Sequence, residues 1–584
     1  MLEGLSAQQR AAVTEPGHVL LTACPGSGKT RVLTYKIAHE LKKIEESRKS
    51  IIALTFTNRA ADEIKERIVR MNIEPRNQLW SGTIHAFCLE WIIRPYKGYL
   101  PELKDGFIIA DEYKSEEILS GLKEESGLEW WTQITTRINA DGSLAELAYA
   151  QIVIDYHKIL KENKLIDFDQ ILYLAHKLLY NYPKIAKTLN NLFHLICVDE
   201  YQDTQELQYL ILSKIIKAQN GKTLLFMVGD KDQAIYGSLG GVAKSLREIK
   251  TQFGNIAIKE KELSGNYRSN QRIIDYYRNF QSTNIEIESM CEYSRERGVI
   301  TFSNQTVDKD HLSTHIAGII REHLDNGVPE SEICVLAPQW WMVIPMGRKL
   351  KTLLPQVNFD AVGLSPLLKN RENTWYKFAR LFLLEPAPNR YFVRTRWANE
   401  LLEELHGLGI HLFLGQERKS RQLLRILNSI KSDHDNGLDY LQDCFMKTIQ
   451  KLGLSLEENA HLKLHWDYFF EGAKKRMANA DFDYATDVKS FKRLFSHNSG
   501  VVVNTCHGIK GEEFQTVIAC GLLYGYVPNR NEPDPTNAAR KLLYVICSRA
   551  KNNLYLISEG GRTTKYGNPY STTGQLSQLT YNYD

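Results

Sequence analysis

The sequence predicts an α/β protein made of two parallel-sheet core units, each carrying a mainly helical insertion. Three observations lead there. Short runs of Val, Ile and Leu without polar alternation mark strands buried on both faces, as in a parallel sheet. Amphipathic stretches separate those runs, so strand alternates with helix. The strand series is then broken in two places by Glu/Lys/Leu-rich sequence of helical pattern.

The first strand series is VLLTA (19–23), IIALTF (51–56), LICV (195–198) and LLFMVG (224–229). Helices are expected from Arg31, over Ala60, Ile64 and Ile68, and over Leu207, Leu210, Ile211 and Ile215, whose spacing forms apolar stripes. The series breaks near 88–190, where the aromatic cluster EWWTQI lies. A second series follows: VITF from 299, ICVLA (333–337), VVVNT (501–505), TVIACG (516–521) and NLYLIS (553–558), interrupted between about 370 and 490. The expected domains are therefore 1–87 with 190–265 as the first core and 88–189 as its insertion, then 266–369 with 491–584 as the second core and 370–490 as a reduced insertion. The polar tail after Gly560 is expected to be loose.

Composition narrows the class. A chain of 584 residues is too long for one core and fits about three or four units. Apolar residues at 43% and charged residues at 24% are ordinary for a soluble globular protein. Net charge is only +4, so any polyanion would need a local basic groove. The nine cysteines are scattered without a CxxC pair, which argues against a zinc ribbon, an iron–sulfur cluster or a disulfide framework. The start, MLEGLSAQQRAAV, lacks a signal-peptide pattern, and no apolar run reaches the roughly 18 residues of a membrane span, so a cytoplasmic protein is expected.

Ala23, Cys24, Pro25, Gly26, Ser27, Gly28, Lys29, Thr30 and Arg31 follow a strand and open a helix. Glycines let successive N–H groups curl around phosphate oxygens, and the helix N-terminus adds positive potential. Lys29 would reach the β- and γ-phosphates of ATP, and the Thr30 hydroxyl would ligate Mg²⁺. Ala23 stands where the strict pattern has Gly. In VDEYQDTQ, Asp199 and Glu200 end a buried strand, the edge of a parallel sheet where ligands bind. One carboxylate can hold Mg²⁺ and the next can orient and deprotonate water. Asp203 fits an N-cap for the helix that follows.

With these residues in hand, the chain resembles the UvrD/Rep group of superfamily 1 DNA helicases, whose motifs occur here in the family's order. LSAQQRAAV is similar to the glutamine motif, IIALTFTNRAADEIKERI and WSGTIHAFC to two motifs that contact single-stranded DNA, and VDEYQDTQ to the Walker B segment. LSGNYRSNQRII, VVVNTCHGIKGEEF and RKLLYVICSRAKNNLYL resemble three motifs of the second core. The resemblance implies two RecA-like cores and a DNA-dependent ATPase moving 3′-to-5′ on single-stranded DNA, or on duplex with a single-stranded end. It implies that Gln9, Tyr267 and Glu513 contact the nucleotide, that Thr30 and Asp199 hold Mg²⁺, and that Glu200 activates water. Gln233 would sense the γ-phosphate, while Arg268 and Arg549 would neutralise charge on the transferring phosphoryl group. Phe56, Thr57, Asn58, Thr83, His85, Tyr236, Thr505 and His507 are the implied DNA contacts, with Phe56 offering a ring on which any base can stack. The short second insertion departs from the best-known members and resembles the helicase-like subunit of the Gabija anti-phage system, which works beside a nuclease. Two readings follow: a translocase in repair or defence, or an ATP- and DNA-end-sensing subunit that activates a partner nuclease.

The loop VGDKDQAIYGSLGG (228–241) is similar to the family's third motif. It has no Lys-Ser/Thr after its glycines, so it is a connector and not a second phosphate cradle; Asp230 and Asp232 read as turn and capping residues. Many relatives place a tryptophan after YG, where this chain has Ser238. Ser238→Trp is expected to tighten single-strand binding by about 1–3 kcal/mol, the worth of one stacked base. Fluorescence anisotropy with a labelled oligonucleotide checks this, and unchanged or weaker affinity would show that the base pocket is built another way.

Overall fold

His18–Ala23 (β1), Ser50–Thr55 (β2), Leu79–Thr83 (β3), Phe193–Asp199 (β4), Leu224–Gly229 (β5) and Ile258–Leu263 (β6) form one sheet in the order β3–β2–β4–β5–β1–β6, every neighbouring pair parallel. Alternate residues of a strand point to opposite faces. Val19, Leu21, Ala53, Cys197, Phe226 and Val228 accordingly enter one core, and Leu20, Ile52, Ile196, Val198, Leu225 and Met227 the other. The computed structural model describes residues 2–44, 48–73, 78–110, 112–129, 131–218, 222–364, 366–367, 373–416, 418–478, 486–493, 495, 500–530, 532, 534–564 and 566–584. Trp130 and the expected boundary at 369/370 lie outside the described residues.

The chain divides into two units, Met1–Tyr267 with Ser282–Cys291, and Arg268–Gln281 with Glu292–Asp584. Within the first, the segment after β3 has two characters. Phe87, Ile92, Ile93, Ile171, Leu172 and Leu178 join the core beneath the sheet. Ala110, Leu119, Tyr156 and Leu160 make a small core of their own, beside a parallel pair of two-residue strands, Ile108–Ile109 and Leu165–Ile166. Asp167 links the two parts. Its Oδ1 accepts from Gln170 N at 2.7 Å and caps the helix Phe168–Asn181, while its Oδ2 accepts from the buried Tyr156 hydroxyl at 2.9 Å.

The second unit repeats the plan with Val299–Asp308 (β7), Ile333–Ala337 (β8), Phe359–Ala361 (β9), Val501–Thr505 (β10), Phe514–Ala519 (β11) and Ala550–Gly560 (β12). Their order is β7–β12–β11–β8–β10–β9, again all parallel. Between β9 and β10 a helical body has its own core around Trp375, a fully buried ring packed on Phe378, Phe445 and Trp466, with its indole N–H on Leu462 O at 2.8 Å. Among the described residues no helix is long and apolar enough to cross a membrane.

Two sequence expectations need correction. The tail after Gly560 is docked, not loose: Thr573 Oγ1 donates to Val527 O at 2.6 Å, Tyr583 packs on Phe302, and Asp584 pairs with Arg272 and Arg297 at 2.6 and 2.8 Å. Polar composition hid it because the anchoring is ionic and aromatic. Asp203 does not cap the following helix either. Gln205 does, in a reciprocal pair with Gln208, and Asp203 lies in the 3₁₀ turn Tyr201–Asp203. Asp167→Ala is expected to cost about 1–3 kcal/mol, one helix cap plus one buried hydrogen bond from the Tyr156 hydroxyl. Urea unfolding reads this as a lowered midpoint at unchanged slope.

Candidate functional site

β1 ends at Ala23, and the chain turns through Cys24 to Gly28 into the helix Lys29–Lys43. Gly28 has φ +81 and stands at the N-cap with no side chain bonded to the helix's first amides. Only glycine takes that conformation without strain, and the uncapped N–H groups are left for an anion. Ser27 Oγ donates to Cys24 O at 2.7 Å and Cys24 N to Leu263 O at 3.0 Å, which fixes the loop's base. Gln9 Nε2 donates to Ser27 O at 3.0 Å, so this side chain braces the loop from a buried position. Arg31 reaches Gly4 O at 3.0 Å; Tyr267 N reaches Gly26 O at 2.9 Å and leaves its ring exposed beside the loop.

Asp199 closes β4, and Glu200 follows in the left-handed region at φ +52, ψ +48. A non-glycine residue rarely stays there unless its neighbours hold it. Here they do. The Glu200 carboxylate meets Lys29 Nζ at 3.4 Å and accepts from Gln202 Nε2 at 2.6 Å. Gln202 Oε1 accepts from Asp230 N at 3.0 Å, and Asp230 Oδ2 accepts from Gln233 Nε2 at 2.8 Å. One hydrogen-bonded chain thus runs from the phosphate loop across the ends of β4 and β5. Gly229 is required by it, since a Cβ there would stand 2.1 Å from Gln202 Oε1.

The electrostatics favour a cation. Burial, and then the Glu200 charge, raise the Asp199 carboxyl above its usual range, and burial pushes Asp230 up to about 6. Three carboxylates against one lysine, with the Thr30 hydroxyl near the helix start, are a hard-oxygen donor set of the kind that suits Mg²⁺. Asp230 also caps the turn Lys231–Gln233. Asp232 works differently: its carboxylate accepts from Ser282 N at 2.7 Å and Thr283 N at 3.2 Å and from both hydroxyls, holding the strand of chain at 282–283.

Phe56, 45% exposed, stacks on Tyr236 with centroids 4.5 Å apart and planes 26° from parallel. Three threonines share one role. Thr57, Thr83 and Thr505 each accept a backbone N–H, from Ala60, Ala86 and Gly508 at 3.2, 3.3 and 3.0 Å. A hydroxyl that accepts in this way can still donate its own O–H. Asn58 opens the helix Asn58–Arg70 and is exposed. His85 lies edge-on to Phe168 at 5.5 Å, and burial lowers its pKa to about 4; burial and then Lys510 lower that of His507. Both rings are neutral donors at pH 7.

On the second unit, Arg268, Glu513 and Arg549 gather about Ser548. Arg268 Nε pairs with Glu513 Oε2 at 2.8 Å and its Nη1 donates to Ser548 O at 2.9 Å. Arg549, 1% exposed, donates to Val545 O at 3.0 Å, Ser548 Oγ at 3.0 Å and Glu512 O at 3.4 Å. Sequence reasoning had treated Glu513 and Arg268 separately, and it missed Gln202 altogether. The available signal was its place two residues after Glu200.

The UvrD/REP helicase N-terminal domain family matches residues 5–254, and the UvrD-like helicase C-terminal domain family matches 485–560. ATP-dependent DNA helicase PcrA of Bacillus subtilis is 26% identical over 634 aligned positions, covering 96% of this chain and 84% of the relative. PcrA of Staphylococcus epidermidis is 28% identical over 95% of this chain and 83% of its own length. ATP-dependent DNA helicase UvrD1 of Mycobacterium tuberculosis is 29% identical, over 47% of this chain and 38% of the relative. Gln202→Ala is expected to lower kcat for ATP hydrolysis by about 10- to 100-fold, with KM for ATP within about twofold, because it frees Glu200 without touching the phosphate loop. Steady-state kinetics on single-stranded DNA check it.

Proposed function

We propose that this chain is an ATP-dependent DNA helicase of the UvrD type that moves 3′-to-5′ along single-stranded DNA by the residues described above. The observation that carries the reading is the chain of contacts Lys29–Glu200–Gln202–Asp230–Gln233. The phosphate-loop amides and Lys29 bind the β- and γ-phosphates. Phosphate oxygens compete with Glu200 for Lys29, so nucleotide binding releases a carboxylate that Gln202 still orients. Glu200 then accepts a proton from the water whose oxygen attacks the γ-phosphorus, as the bond to the ADP oxygen breaks. Thr30 and Asp199 would hold Mg²⁺, which supplies neutralising charge at the phosphates. Arg268 and Arg549 are the guanidinium groups that this reading assigns to the charge on the transferring phosphoryl group. Gln233, tied to Asp230 in the loop that ends at Tyr236, relates phosphate occupancy to the stacked pair Phe56–Tyr236. Uncharged donors at Thr57, Thr83, His85, Thr505 and His507 suit a backbone that must slide.

The small second insertion favours a second reading, in which the chain senses ATP and DNA ends and switches on a partner nuclease in a Gabija-like defence complex. Strong strand displacement by the isolated chain on a tailed duplex counts against it.

Lys29→Ala is expected to abolish ATP binding and hydrolysis, and Glu200→Gln to abolish hydrolysis while ATP still binds. Turnover and nucleotide-binding measurements with single-stranded DNA check both, and wild-type turnover by either variant would overturn the assignment.

A further inference from the structure

The helical body of the second unit holds a polar cluster that the reactions above do not use. His461 and His465 stand one turn apart on the helix Ala460–Ala478, so their imidazoles leave the same face. Glu404 comes from the helix Tyr391–Gly407. A ligand atom of each of the three lies within 4.8 Å of the other two, and the two rings are 3.9 Å apart. His465 Nδ1 accepts from Thr374 N at 3.1 Å and faces Thr374 Oγ1 at 2.9 Å. That hydroxyl also meets Glu404 Oε1, and Lys377 pairs with Glu404 Oε2. Thr374 therefore holds the His465 lone pair with its N–H and a Glu404 oxygen with its hydroxyl. Beside them, His461 Nδ1 is buried with no hydrogen-bond partner.

A plain polar network accounts for every member except that nitrogen, and a buried polar atom without a partner calls for an occupant. Two imidazoles and a carboxylate are a zinc donor set with one position left open. Ligand bonds of about 2.0–2.1 Å put tetrahedral ligand atoms about 3.4 Å apart, a closure that side-chain rotation can make. Thr374 and Lys377 do not exhaust the carboxylate, which has about four acceptor sites, and they fix its direction.

We propose that Glu404, His461 and His465 bind one Zn²⁺, with an oxygen at the Thr374 position as fourth ligand. The ion takes over the His465 lone pair that Thr374 N–H now holds. It ties the helices Thr374–Leu383, Tyr391–Gly407 and Ala460–Ala478 into one clamp.

The test uses the full chain, free of any affinity tag, stripped with a chelator and titrated with Zn²⁺ alone by calorimetry. Co²⁺ is the spectroscopic probe. The expected result is one equivalent bound, a visible Co²⁺ absorption of tetrahedral N/O type displaced by Zn²⁺, and a raised thermal midpoint. His461→Ala and Glu404→Gln should weaken binding by at least about 100-fold, the upper end of what outer-shell partners cost. Cys291→Ser, which alters the least buried thiol, should change nothing. Circular dichroism confirms that each variant is folded, and His461→Gln replaces His461→Ala if it is not. No uptake by the wild type, or wild-type affinity in the folded variants, overturns the proposal.

Discussion

Glu200 occupies a backbone conformation it would not choose, and the rest of the first site depends on what keeps it there. Left-handed geometry for a branched-free acidic residue costs on the order of 1–3 kcal/mol. The hydrogen bond from Gln202 and the ion pair with Lys29 offset that cost and aim the carboxylate at the phosphate loop. Gln202 in turn is set by the Asp230 amide at the end of the next strand. The parallel register of β4 on β5, with Asp199 opposite Val228, brings these groups together. A sheet with any other neighbour order would leave Glu200 without its support.

The second unit solves a different problem with the same architecture. On the proposed reading its guanidinium groups must stay charged and able to leave, and Ser548 gives them a shared resting place through its carbonyl and its hydroxyl. Arg268 is held there by a carboxylate and Arg549 mainly by backbone carbonyls.

Legibility followed burial. Strands enclosed on both faces, such as 195–198 and 333–337, were visible as unbroken apolar runs. β6, IKEKEL, was not, because at the sheet edge it exposes four of six side chains wholly or in part. β3 escaped because its Trp, Ser and Gly read as a motif before they read as a strand. The phosphate loop and acidic pair were legible because their chemistry is local in sequence. Gln202, the Asp232 anchor at 282–283 and the tail were not, since their partners lie 28, 50 and 312 positions away. Nothing in the sequence singled out His461 and His465, and Glu404 joins them only through the packing of helices around Trp375.

On the proposed reading, the stack of Phe56 on Tyr236 bears on how firmly a DNA strand is held. A base arriving between or over these rings does not meet a bare surface. It trades one aromatic neighbour for another, so the gain falls below the roughly 1–3 kcal/mol that a base contributes on an unoccupied ring. Departure is easier by the same amount, because the rings close on each other as the base leaves. On that reading grip and release differ little in free energy at this point, and a strand meets no deep trap at this stack.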